Sequence, residues 1–301
     1  MLETVVRWFT GGQCNLRCPY CVNSDQERTA VWREVDVDKA VALCREVAPV
    51  STLMILGGEP TCMPWLARAF RQLHAIRRVE ILTNGVLVDV LADQVRSAMV
   101  GAEHVTVLVT VHPLAWPARS ALADAVDAWM ALNSEKVFVQ VKCLLTSADD
   151  VHACTVNDWA AELVPHGHLL VAARRVPSSG PTMHEVVTAL RANSSPRLKR
   201  LLTVRAENEN RVCPYAGREC PVADSVVNIA PWGAAFGVKC GAEQLVYLPW
   251  SASIETMLSH KQTRRVVCPD RQLGCNCDAT VDDIVARRMG LRKVDYLTAD
   301  V

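Results

Sequence analysis

Residues 104–112 read HVTVLVTVH, and this regular alternation is typical of a β-strand. Valine stands at positions 105, 107, 109 and 111, and the positions between them include Thr106, Thr110 and His112. Side chains alternate across a strand, so the valines share one face and the polar residues share the other. The segment therefore predicts a strand that buries its valine face against helices and turns its polar face toward an interior.

Five more runs of β-branched and apolar residues predict strands on either side of this one. They are residues 4–10, 51–57, 78–84, 136–145 and 168–174. Helical patterns separate them, as between Val37 and Ala48, where apolar residues recur at the spacing of a helix face. Six strands that alternate with helices predict an α/β fold with a parallel sheet, either doubly wound or curled into a barrel.

The fifth predicted strand repeats the pattern of the fourth. Gln140 and Lys142 share one face, and two valines and Cys143 share the other. If the apolar faces pack on helices, His112 and Lys142 lie near strand ends and face the interior, where parallel sheets bind ligands. Arg174 ends the sixth predicted strand and has a similar position. We therefore expect His112, Lys142 and Arg174 to act in catalysis.

Composition and charge narrow the classes of partner. The 301 residues are enough for one large domain and a smaller one. Lys and Arg together number 32, as do Asp and Glu, so the net charge does not favour a nucleic-acid or membrane partner. The N-terminus lacks the features of a signal peptide, and no apolar run is long enough for a membrane span. These features favour a cytoplasmic protein with a small or neutral partner.

The cysteines are the strongest sign of chemistry. The chain has 13 of them, although disulfides are rare in the cytoplasm. Cys14, Cys18 and Cys21 lie within CNLRCPYC, directly after the first predicted strand. Three thiolates on one short loop can hold an iron–sulfur cubane and leave one iron open, whereas a structural zinc site prefers four protein ligands. The loop therefore predicts a cluster with an open coordination position.

This loop resembles the signature of the radical S-adenosylmethionine (SAM) family, including the aromatic Tyr20 before the last cysteine. ILGGEP at 55–60 looks like the GGE motif of that family, and LTNG at 82–85 looks like its TNG segment. All three motifs follow predicted strands in the expected order. On these motifs, which span roughly residues 4–175, the chain is identified as a member of the radical SAM family.

The resemblance implies how SAM would bind. SAM would chelate the open iron through its amino and carboxylate groups, and Glu59 would accept a hydrogen bond from the methionyl amine. His112, Lys142 and Arg174 would reach the substrate or the SAM ribose and carboxylate. The residues expected to contact SAM are Tyr20, Gly57, Gly58, Glu59, Pro60, Thr83, Asn84 and Thr110.

The resemblance also implies the reaction. A [4Fe–4S] cluster, reduced by a flavodoxin or ferredoxin, would cleave SAM to a 5′-deoxyadenosyl radical, which takes a hydrogen atom from the substrate. The fold would be a partial (β/α)6 barrel of the TIM type over residues 1–195, followed by a small cysteine-rich auxiliary-cluster domain over residues 196–301.

The C-terminal region resembles the SPASM or twitch extensions of radical SAM enzymes. A cysteine, a hairpin with a turn at Pro231–Gly233 and a second cysteine follow one another there. We expect one auxiliary [4Fe–4S] cluster, held by Cys220, Cys240, Cys275 and Cys277, with Cys213 and Cys268 as replacement ligands. A zinc site on the same thiolates and two incomplete clusters both remain open.

The substrate is expected to be a small molecule, such as a sugar or cyclitol that is oxidised or epimerised in natural-product biosynthesis. The tail is short, and the first predicted strand begins at residue 4, which leaves no room for the leader-binding domain of many peptide maturases. Modification of a ribosomally made peptide is the alternative among enzymes. A zinc-binding structural protein is the alternative outside them.

Overall fold

The computed structural model describes residues 4–18, 21, 23, 25–145, 151–165, 169–173, 192, 195–198, 226–237 and 247–260. Its strands are β1 (Thr4–Phe9), β2 (Val50–Leu56), β3 (Ile76–Thr83), β4 (Ala102–Val111), β5 (Val137–Leu145), β6 (Leu169–Ala173), β7 (Val226–Ala230) and β8 (Gly233–Phe236). Its helices are α1 (Asp25–Thr29), α2 (Glu34–Glu46), α3 (Leu66–Gln72), α4 (Val88–Ala98), α5 (Arg119–Met130), α6 (Val151–Leu163) and α7 (Ile254–Ser259). Short 3-10 turns cover Pro60–Cys62 and Pro113–Ala115.

The strands form one sheet in the order β6-β5-β4-β3-β2-β1-β7-β8. Neighbours from β6 to β7 run parallel, and the β7–β8 pair is antiparallel. This confirms the predicted α/β fold with a mainly parallel sheet and all six predicted strands. Closure into a partial barrel and the division into two domains at residue 195 stay predictions. No helix in the part of the chain described here has the length and apolarity needed to cross a bilayer.

The core confirms the predicted valine face of β4. Its four valines are at most 1% exposed. On the neighbouring strand β5, the residues Val139, Val141 and Cys143, which lie on the same face of the sheet, are fully buried as well. Burying one valine contributes roughly 1.5–3 kcal/mol, so this face alone makes a large contribution to stability. On the opposite face Thr110 and Lys142, which are register partners, are half-buried. The two faces thus differ as the alternation predicts.

The hairpin formed by β7 and β8 joins the sheet beside β1. Val5 pairs with Val226 and Trp8 pairs with Ile229, in parallel register. The turn between the two strands is the predicted Pro231–Gly233 segment, and the Trp232 ring packs against Phe9 with centroids 5.7 Å apart. The cysteines predicted to hold an auxiliary cluster lie outside the described residues, as do Tyr20 and Arg174.

Candidate active site

The three sequence motifs meet at one edge of the sheet. Because β1, β2 and β3 run parallel, the loops that follow them lie side by side. The Gly58 N–H donates to the Gly11 carbonyl at 2.7 Å, and the Glu59 N–H donates to the Gln13 carbonyl at 2.8 Å. The loop that carries the three cysteines is therefore held by backbone hydrogen bonds to the GGEP segment.

Close backbone packing explains both glycines of GGEP. Gly57 has a φ of +131°, which residues with a side chain rarely adopt. A Cβ on Gly58 would lie 2.2 Å from the Gln13 carbonyl oxygen, which is an overlap with backbone. The glycines thus let the cysteine loop approach the end of β2. Their predicted contact with SAM is a separate role and stays a prediction.

Glu59 is the central acceptor of the site, and it is only 1% exposed. Its Oε1 accepts hydrogen bonds from the Thr61 N–H at 3.1 Å, the Thr61 hydroxyl at 2.6 Å and the Thr83 hydroxyl at 2.6 Å. Its Oε2 accepts one from the Asn84 N–H at 2.7 Å. These four donors offset the cost of burying a carboxylate. Glu59 therefore ties the GGEP segment to the TNG segment.

Asn84 extends this network to the cysteine loop. Its Nδ2 donates to Asn15 Oδ1 at 2.7 Å and lies 3.9 Å from Cys14 Sγ. Its Oδ1 accepts from the Val86 N–H at 3.0 Å, which fixes the side chain. The sequence analysis did not identify Asn15 and Thr61 as residues of the site. Only their positions could have indicated them, since Asn15 lies within CNLRCPYC and Thr61 directly follows GGEP. All three motifs are thus joined by hydrogen bonds that involve Asn15, Glu59 and Asn84, one from each of the loops after β1, β2 and β3.

The thiols of the cysteine loop lie in different surroundings. The pKa of the Cys14 thiol is raised to about 11, chiefly by desolvation and to a smaller extent by the nearby acidic groups of Glu59, Cys62 and Cys18. The Leu16 N–H donates to Cys14 Sγ at 3.3 Å, which opposes this rise. Cys18 and Cys21 are half-buried, and the Cys21 N–H donates to the Cys18 carbonyl at 3.1 Å. Cys14 thus already has a hydrogen-bond donor for a bound thiolate.

A single ion and a cluster would use the thiols of the cysteine loop in different ways. Among the described residues, no three His, Cys, Asp or Glu side chains are placed to hold one metal ion. A single zinc needs all its thiolates at about 2.3 Å from one point. In a cubane each thiolate binds its own iron, so its thiolates do not converge on one point. Three accessible thiols at the end of β1 fit that requirement.

Two of the predicted catalytic residues lie near this edge of the sheet. His112 follows β4 directly, and its Nδ1 is 3.6 Å from Cys18 Sγ. Lys142 lies on the half-buried polar face of β5, beside Thr110 of β4. The structure therefore brings His112 to the cysteine loop, a contact that the sequence pattern did not indicate.

A comparison with family models matches residues 8–114 to the Radical SAM superfamily. Residues 8–114 are thus similar to the radical SAM superfamily. The matched range contains the cysteine loop, GGEP, TNG and His112. This match supports the superfamily named on the motifs over that range, and the superfamily implies a SAM-binding [4Fe–4S] cluster. The SPASM or twitch character of the tail stays a prediction.

Curated proteins to which part of this chain is similar include GTP 3′,8-cyclases. The enzyme of Chlorobaculum tepidum is 36% identical over 88 residues, which cover 28% of this chain and 26% of that protein. GTP 3′,8-cyclase 1 of Mycobacterium tuberculosis H37Rv is 33% identical over 112 residues, which cover 34% of this chain and 31% of that protein. The chain thus spans about a third or less of these relatives.

Solved structures show the same fold over a longer range. The structure of native anSMEcpe with bound AdoMet superposes with a TM-score of 0.50 and covers 84% of this chain and 80% of that one. The sequence identity is 15%, so this likeness concerns the fold alone.

Proposed function

We propose that the protein is a radical SAM enzyme that abstracts a hydrogen atom from a small-molecule substrate. Cys14, Cys18 and Cys21 would hold the cluster. When bound, the cluster supplies one electron that cleaves SAM to 5′-deoxyadenosyl radical and methionine. The observation that carries the proposal is the Glu59 network, because it joins all three motifs beside the thiols.

Glu59 would also receive the methionyl amine of SAM. A carboxylate has about four lone-pair sites, two on each oxygen. Oε1 takes three donors, whereas Oε2 takes a single donor among the described residues. Oε2 therefore retains acceptor capacity, and its negative charge suits an ammonium group. Gly57, Gly58, Pro60 and the TNG segment would shape the rest of this subsite, with Tyr20 against the adenine.

The substrate would bind over the polar face of β4 and β5. Thr110 and Lys142 are half-buried there and supply a hydroxyl and an ammonium donor. Such groups suit a hydroxyl-rich small molecule, which supports oxidation or epimerisation of a sugar or cyclitol; Arg174 would complete the substrate side of the site. A flavodoxin or ferredoxin would deliver the electron.

A second candidate is ring closure on a nucleotide. It is favoured by the identity of 33–36% to proteins named GTP 3′,8-cyclase. The matched stretches cover about a third of this chain or less and a similar share of those relatives. The similarity therefore supports a shared SAM-binding part more than a shared substrate. Incubation with GTP and with sugar or cyclitol substrates, followed by mass spectrometry of the products, separates the two candidates. Modification of a ribosomally made peptide added to the same assay would favour the maturase alternative instead.

The test of radical SAM chemistry is anaerobic reconstitution with iron and sulfide, followed by dithionite and SAM. We expect a brown protein that forms 5′-deoxyadenosine. The variant Cys14→Ala/Cys18→Ala/Cys21→Ala should form none, whereas Cys44→Ala, which alters a buried core cysteine, should retain the activity. Equal 5′-deoxyadenosine formation by the triple variant would refute the assignment, as would a colourless zinc protein without SAM cleavage.

A further inference from the structure

A histidine from a distant strand end touches one of the proposed cluster ligands. The Nδ1 of His112 lies 3.6 Å from Cys18 Sγ, within hydrogen-bond range for sulfur. The two residues are separated by 94 positions in the chain and belong to different loops. The contact therefore depends on the fold that brings the ends of β1 and β4 to one edge of the sheet.

The chemistry of the ligand fixes the direction of this hydrogen bond. A cysteine that binds iron does so as a thiolate, which has no proton to donate. The imidazole must then be the donor, through an Nδ1–H. The sulfur of Cys18 is its acceptor, and the thiolate charge makes the bond charge-assisted.

The backbone of His112 is well fixed for this role. Pro113 follows it and restricts its conformation, and His112 has the extended dihedral angles expected before proline, φ −101° and ψ 123°. Its carbonyl oxygen accepts from the Ala115 N–H at 3.0 Å and closes a 3-10 turn. The preceding residue, Val111, is fully buried in the core. The backbone that carries the imidazole is therefore well fixed at the end of β4.

We propose that His112 is a positioning residue that donates its Nδ1–H to the Cys18 thiolate and thereby raises the reduction potential of the SAM-binding cluster. One-electron reduction adds negative charge that is shared by the sulfurs, so a donor to sulfur stabilises the reduced state more than the oxidised state. Hydrogen bonds to the sulfurs are among the factors that set such potentials. The inference rests on the proposed function, because it requires the cluster on Cys14, Cys18 and Cys21.

Three variants separate the hydrogen bond from other effects. His112→Leu removes the donor at similar size, and His112→Asn keeps an N–H donor at the δ position. His104→Leu is the matched control, because His104 lies on the same strand but is exposed to solvent. The midpoint potential of each reconstituted full-length protein is measured by redox titration with electron paramagnetic resonance. Only the signal that changes on SAM addition is followed, which excludes any auxiliary cluster.

In His112→Leu we expect the ratio of reduced to oxidised cluster at a given ambient potential to fall about tenfold. This corresponds to a midpoint potential lowered by about 59 mV for one electron. His112→Asn should stay near wild type, and His104→Leu should match it. An unchanged midpoint in His112→Leu overturns the inference. So does a His112→Asn midpoint that shifts as far as that of His112→Leu.

A measurement on the wild-type protein covers the case in which His112→Leu fails to load a cluster. Protein labelled with ¹⁵N only in histidine should show a ¹⁵N coupling to the reduced, SAM-responsive cluster in pulsed electron paramagnetic resonance. Absence of that coupling overturns the inference. A wild-type protein with no SAM-responsive cluster is a different result, since it refutes the proposed function itself.

Discussion

Glu59 shows how much one buried side chain can organise at this site. It receives hydrogen bonds from two backbone N–H groups, those of Thr61 and Asn84, on opposite carboxylate oxygens. Glutamine has the same shape but replaces one oxygen with an NH2 group. Whichever way that amide is turned, one of the two N–H groups faces another donor. The carboxylate is therefore required by the loops themselves, apart from its proposed role in binding SAM.

We expect Glu59→Gln to lower the free energy of unfolding of the cluster-free protein by about 1–3 kcal/mol, the usual cost of an unsatisfied buried polar group. SAM affinity of the reconstituted protein should also fall, by roughly ten- to a hundredfold, because a hydrogen bond to a charged group is lost. Urea unfolding and anaerobic SAM titration measure the two effects. Exposed Glu103→Gln is the control and should change neither. A wild-type unfolding curve for Glu59→Gln would contradict this account of the loops.

The thiols should differ in reactivity according to their burial. Burial raises the pKa of Cys44 to about 12 and raises that of Cys143 as well, so both remain protonated thiols at pH 8. With its pKa raised to about 11, Cys14 is also mainly protonated at pH 8, so the expected difference in labelling rests on access. Cys44 and Cys143 are inaccessible, whereas Cys14 is exposed and Cys18 and Cys21 are half-exposed. In native cluster-free protein at pH 8, iodoacetamide should label the three loop cysteines well before the two core cysteines. Peptide mass spectrometry reads the order, and early labelling of Cys44 would contradict the packing.

At the scale of secondary-structure elements, Gly85 follows β3 and packs against Trp129 of α5. It has a φ of +71°, and a Cβ there would lie 2.7 Å from both the Trp129 ring and the Val109 side chain. The Trp129 Nε1 donates to the Gly85 carbonyl at 3.0 Å, and Trp129 is fully buried. The glycine of TNG is thus needed for packing between a strand end and a helix.

Gly85→Ala should therefore destabilise the protein by about 1–3 kcal/mol, because the added methyl group overpacks the core and strains the backbone. A thermal or urea unfolding curve of the cluster-free protein measures the loss. Val100→Ala, at a position that is 69% exposed, should stay within about 0.5 kcal/mol of wild type. Similar stabilities of the two variants would show that the α5 contact can relax around the methyl group.

The elements also show where sequence reasoning succeeds and where it stops. The six strands were predictable because alternation and β-branched runs are local signals. The motifs at strand ends also indicated which loops would lie together, because the carboxyl ends of parallel strands share one edge of a sheet. The pairing of β7 with β1 was not predictable, since Val5 and Val226 share no local pattern. The contacts of Asn15 with Asn84 and of Cys18 with His112 depend on loop conformation, which periodicity does not encode.

At the scale of the whole molecule, iron content tests the predicted auxiliary cluster. Two cubanes imply about eight irons per chain, whereas one cluster with a zinc-bound tail implies about four. We expect about eight, falling toward four in Cys240→Ala/Cys275→Ala, with loss of product but some remaining SAM cleavage. Circular dichroism and size-exclusion behaviour must stay wild-type, since loss of metal can unfold a small module. Full iron and normal product in that variant would contradict the proposed cage.

The parallel pairing of β7 with β1 has a consequence for truncated forms of this chain. A protein cut at residue 195 would lack β7 and β8 and leave the backbone groups along one side of β1 without their strand partner. Such an open edge recruits strands from other molecules. We expect the truncated form to self-associate, as light scattering would detect, while the full chain does not expose this edge. During synthesis, β1 would likewise have one unpaired edge until residues 226–230 have left the ribosome. The nascent chain would be prone to aggregate through that edge during this time.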